Sequence, residues 1–129
     1  MTYMKLKSKQ QLRSAEEYYF KALFKKFKGR ELVWSDDLFD NLEKIQYEIK
    51  GVSYPYYYMQ QGGKIMIDKG SIDRHLQKNE TCKIVTVFKD KRVFIVDLLT
   101  VKDHIQGIRY TDLNRESYII PIGVFEEFA

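Results

Sequence analysis

The chain has 129 residues, 44% of them hydrophobic and 31% charged, with a formal net charge of +4 and a sequence pI near 9.0. That length suits one buried core, and that balance indicates neither a disordered chain nor a membrane class. No apolar run approaches the roughly 18 residues that span a bilayer, and the basic start lacks the apolar stretch of a secretion signal, so a cytoplasmic protein with no membrane partner is expected.

The first predicted element is a helix. Ser8 with Gln11 and Ser14 with Glu17 both have capping-box spacing, and Leu12, Ala15, Tyr19, Leu23 and Phe27 recur at helical intervals up to Gly29. Lys21, Lys25, Lys28 and Arg30 belong to an uneven excess of basic residues before position 31, which suits a polyanion-binding face; the alternative is a charged face that keeps the protein soluble. A short strand at 32–34 leads to Asp36, Asp37 and Asp40, read as a strand end entering an acidic turn. Residues 44–50 alternate, with Ile45, Tyr47 and Ile49 on one side and Glu48 and Lys50 on the other. A tyrosine cluster at 54–58 precedes a turn at Gly62 and Gly63, a strand at 65–67 and a short helix at 71–77. Residues 82–88 and 93–99 form the clearest hairpin, around a charged turn. A helical or turn segment at 100–106 leads to a last strand at 118–122, with Phe125 and Phe128 folding back on the core. This order predicts one domain, residues 1–129, of α/β (mixed α+β) class with a central mixed β-sheet flanked by helices.

Chemistry concentrates around residues 36–50. Glu48 and Lys50, two apart on a strand, project side by side, so a carboxylate and an ammonium share one surface. If a hairpin joins them to the preceding acidic segment, Asp36, Asp37 or Asp40 returns next to Glu48. Two adjacent carboxylates repel unless a cation neutralises them, and a hard divalent ion such as Mg²⁺ prefers oxygen ligands. On a helical wheel Glu16 falls at the centre of the apolar face, where a shared ion would compensate a buried acid; the alternative is an acid near the helix start, favoured by the dipole and in reach of water. For Glu48 and Lys50 the alternative is the solvent face of an edge strand. Tyr56 and Tyr58 suit base stacking and Lys64 suits phosphate, with core packing the competing reading for the tyrosines. His75 and His104 lie in charged, loop-like surroundings and receive no role; together with Cys82 they cannot build a closed structural zinc site.

Asp37 followed by Glu48, Ile49 and Lys50, behind a helix carrying Glu16, resembles the PD-(D/E)XK nuclease superfamily, which includes many restriction endonucleases, Holliday junction resolvases and some homing endonucleases. The resemblance covers roughly residues 14–100 and departs from the motif at Ser35, where proline would precede the acidic pair. It implies a restriction-endonuclease-like core and a Mg²⁺-dependent DNA endonuclease, with Mn²⁺ able to substitute. Asp37, Glu48 and the carbonyl of Ile49 would hold the ion, and Glu16 would bind it directly or through water. Lys50 would orient or help deprotonate the attacking water. DNA is the implied partner, and a homodimer or higher homo-oligomer fits two-strand cleavage. The competing function is a non-catalytic, basic nucleic-acid-binding or inhibitor protein of a phage or mobile element.

Overall fold

The computed structural model describes residues 13–78, 81–110 and 115–128. Among these, the elements in chain order are α1 (Ala15–Lys28), β1 (Val33–Trp34), β2 (Leu38–Asp40), β3 (Ile45–Val52), β4 (Lys64–Asp68), α2 (Lys69–Gln77), β5 (Cys82–Phe88), β6 (Val93–Asp97), α3 (Leu98–Asp103), β7 (Gly107–Tyr110), β8 (Glu116–Pro121) and β9 (Glu126–Glu127).

The ends of α1 follow from its capping chemistry. Ser14 accepts from the backbone of Glu17, and the Glu17 side chain accepts from the backbone of Ser14, closing a capping box. Gly29 takes the left-handed conformation (φ 72) that ends the helix. The alternative start at Ser8 lies outside the described residues. Phe20 and Phe24 are fully buried against Tyr47, Val85 and Val87, which sets α1 on one face of the main sheet.

That sheet has the order β1-β2-β3-β5-β6-β9. β1, β2 and β3 form an antiparallel meander, whereas β3 and β5 run parallel, with Glu48 opposite Ile84 and Lys50 opposite Thr86. A parallel pair needs a crossover, and α2 lies in it. β5 is buried along its length apart from the partly buried Lys83, because both its faces are covered. On the face away from α1, the second core gathers Ile72, Ile84, Phe88, Val96, Val101 and Ile120 beneath α2, α3 and a smaller sheet of order β4-β8-β7. The architecture is therefore mixed α+β, a central mixed sheet with helices on both faces, as the element order implies.

Several boundaries differ from expectation. Residues 38–40 form a strand and not a turn, because Leu38 is fully buried and pairs with Tyr47, while Asp40 finds a partner in Arg30. The bend moves to residues 35–37 and the following turn to 41–44. Leu98 opens α3 instead of ending β6, and β7 pairs with β8 although residues 107–110 carry no strand pattern. Phe125 and Phe128 do return to the core; the Phe128 ring stacks on Phe24 at 6.3 Å. No described helix is long and apolar enough to cross a membrane.

Candidate metal centre

The register of β2 on β3 brings the first two functional groups together. Leu38 pairs with Tyr47 and Phe39 with Gln46, so one step further out Asp37 stands across from Glu48. Directly opposed residues point to the same face. Tyr47 and Ile49 pack toward α1, so Glu48 points the other way, toward α2. There α2 supplies His75. Its start is capped by Asp68, which accepts from the backbone of Ser71, and this register turns Ile72 and His75 inward. The His75 side chain is 1% exposed, and its Nε2 lies 3.5 Å from Oδ2 of Asp37 and 3.5 Å from Oε1 of Glu48.

One ligand atom from each of Asp37, Glu48 and His75 lies within 4.8 Å of the others. Metal–ligand bonds of about 2.1 Å place neighbouring ligand atoms roughly 3.0–3.5 Å apart; the imidazole nitrogen stands at such a distance from each carboxylate oxygen, and the three donors together could close on one divalent ion. The electrostatics agree with that use. Burial pushes the Glu48 carboxyl above its ordinary value; His75 opposes this and the neighbouring Asp37 reinforces it. An added cation relieves both the burial and the like-charge contact.

Cationic groups frame the cluster. Arg74 approaches Glu48 at 3.7 Å and is itself half-exposed, and Lys78 pairs with Asp36 at 3.4 Å. Strand alternation puts Lys50 on the face of Glu48, at intermediate burial. His75 also borders a cavity of about 370 Å³ lined by Leu76, Thr81, Cys82 and Leu98.

The bend carrying Asp37 is held from α1's N-terminal side. Arg13 donates to the carbonyl oxygens of Ser35 (2.7 Å) and Asp36 (2.8 Å) while its guanidinium lies 4.5 Å from the centre of the Trp34 ring. Trp34 meets Tyr18 edge to face at 5.2 Å.

Of the aspartates left open by the sequence, Asp37 joins the cluster. Asp36 is exposed and pairs with Lys78. Asp40 is buried in a fork with Arg30, at 2.6 and 3.0 Å, and accepts from the backbone of Leu42. Glu16 does not join. Its carboxylate lies against Gly51, so closely that a Cβ there would stand 2.4 Å from Oε1, and Gly51 turns that side toward α1. The helical wheel placed Glu16 inward, but inward from α1 is the sheet face opposite Glu48. Ile49 sits in the β3–β5 ladder beside Val85 with its side chain on the α1 face, which leaves only its carbonyl for the expected role.

The expected nucleic-acid contacts are scattered. Lys21 and Lys25 both approach Glu31, at 3.7 and 3.4 Å, and Arg30 belongs to Asp40, so these and the exposed Lys28 lie with α1 on the face away from the cluster. Tyr56 stacks on Phe94 at 4.2 Å under Arg92, a packing role; Tyr58 and Lys64 are exposed. His75 is the residue that sequence reasoning missed. Its spacing from Ile72 and Leu76 on a helix capped by Asp68 is the signal that would have turned it inward.

Comparison with protein-family models, curated proteins and solved structures finds no match for this chain.

Proposed function

We propose that the protein is a divalent-ion-dependent DNA endonuclease that hydrolyses phosphodiester bonds. The observation that carries this reading is the convergence of Asp37, Glu48 and His75, with Lys50 two residues from Glu48 on the same strand face. Phosphodiester hydrolysis needs a nucleophile made from water at neutral pH and positive charge facing the pentavalent transition state. An ion held by this cluster supplies Lewis acidity and lowers the pKa of water. Asp37, Glu48 and His75 hold it. Lys50 orients the attacking water and faces the charge that develops on the phosphate, and the half-exposed Arg74 contacts the phosphate backbone.

The resemblance to the PD-(D/E)XK superfamily supports the same assignment for Asp37, Glu48 and Lys50. It offers no counterpart for His75, and the Glu16 it would add lies on the other face. Within the class, a restriction or homing enzyme comes first and a junction resolvase second, acting as a homodimer or higher homo-oligomer so that two sites meet two strands.

The test is cleavage of plasmid and branched DNA with Mg²⁺ or Mn²⁺ by the wild type, Glu48→Ala and Lys50→Ala, each shown to be folded. Cutting by the wild type alone is the expected result. If all three forms bind DNA with equal salt dependence and none cuts any substrate, the protein is the non-catalytic binding module instead.

A further inference from the structure

We infer that the centre selects a first-row transition ion over Mg²⁺, with Mn²⁺, the weakest-binding ion of that series and so the most stringent test, as its probe. This rests on reading Asp37, Glu48 and His75 as an ion site, and two independent features carry it.

The first is donor type. Mg²⁺ and Ca²⁺ favour oxygen throughout, whereas imidazole nitrogen suits transition ions, whose affinity for mixed N/O sites rises along the Irving–Williams series. His75 contributes one donor in three, at 3.5 Å from each carboxylate oxygen.

The second is enclosure. Mg²⁺ dehydrates reluctantly, keeps several waters and is usually bound through one or two carboxylates. Here the Asp37 and Glu48 side chains are 17% and 15% exposed and the His75 side chain 1%, so an ion contacting all three must shed part of its water shell. A transition ion exchanging water for imidazole is compensated by the stronger nitrogen bond; Mg²⁺ is not.

The experiment uses the full chain, stripped with chelator, and follows Mn²⁺ uptake by the electron paramagnetic resonance signal of the free ion while Mg²⁺ is added as competitor. Half-displacement at a Mg²⁺ excess of roughly tenfold or more is expected. Pulsed measurements on the bound Mn²⁺ should show nitrogen modulation from a directly bound imidazole in the wild type, which needs no variant to fold. His75→Asp should lose that modulation and narrow the Mn²⁺/Mg²⁺ gap. Displacement at equal concentrations, or bound Mn²⁺ without nitrogen modulation, overturns the inference and leaves the nuclease reading standing. No Mn²⁺ uptake at all overturns the ion site itself. Selective, nitrogen-coordinated Mn²⁺ in a protein that cuts no DNA sustains the inference and removes the nuclease reading.

Discussion

Arg13 lays its guanidinium 4.5 Å from the centre of the Trp34 ring while donating to the two backbone carbonyls that follow, those of Ser35 and Asp36. One side chain from outside the cluster thereby holds the bend from which Asp37 reaches Glu48 and His75. Arg13→Ala is expected to lower ion affinity about 10–100-fold, the range seen when the support behind a ligand is removed, and Arg13→Lys should recover only part of it because an ammonium cannot fork. Calorimetric titration with Mn²⁺ reads this directly; unchanged affinity would show that the bend holds itself.

Glu48 is a buried acid beside a second acid, an arrangement that costs stability. Its carboxyl is pushed up by burial and by Asp37, so the native state retains a proton at pH values where the unfolded chain has released it. The corresponding stability is present at acid pH and is lost as pH rises through the native value of the carboxyl. In chelator at neutral pH, Glu48→Gln should therefore raise the thermal midpoint by a few degrees and at the same time abolish ion uptake and cleavage. A lowered midpoint under those conditions would mean that the carboxylate makes a favourable interaction even without an ion.

The two basic surfaces can be told apart. Paired charge removal at Arg74 and Lys78, on the cluster side, is expected to reduce the salt dependence of DNA binding by about one unit of slope for each phosphate that is no longer neutralised. The same treatment of Lys21 and Lys25, which lie with α1 on the opposite face of the sheet, should leave the slope unchanged. The reverse pattern would move the DNA to the α1 face.

Asp40 behaves in the opposite sense to Glu48. The forked hydrogen bonds from Arg30 hold its carboxyl below the ordinary range, so the stability it contributes is complete at neutral pH and is lost as pH falls through its native value. Asp40→Asn should lower the thermal midpoint by several degrees at pH 7, and the gap to wild type should begin to narrow below the ordinary aspartate value of about 3.9 and close as pH falls through the lower native one. Parallel thermal melts across that interval decide the matter. A gap that persists in acid would assign the effect to packing alone.

What could be read from the sequence depended on how far apart the partners lie along the chain. Asp37 and Glu48 meet through a tight meander, so strand alternation and a supposed hairpin suffice to pair them, even though residues 38–40 looked like a turn. Lys50 follows from alternation alone. His75 enters through a helix in the crossover between parallel strands, and no periodicity within residues 71–77 says which strand that helix will land on. Glu16 failed for a related reason, because a helical wheel gives inward and outward but not which face of a sheet the helix covers. The smaller sheet was missed because β4 and β8 are far apart in sequence, and β7, with Ile108 and Tyr110 exposed, carries no burial pattern of its own.

The crossover has a consequence in time. The two carboxylates belong to a local meander that can close early, whereas the imidazole arrives only when the chain from β3 to β5 has been laid down, the slower, longer-range event. A chain halted before that event presents two repelling acids and a poor chelate; the finished chain presents all three donors. On the proposed reading, ion capture would be linked to completion of the parallel pair, and removing the ion would shift the protein toward its unfinished forms by mass action.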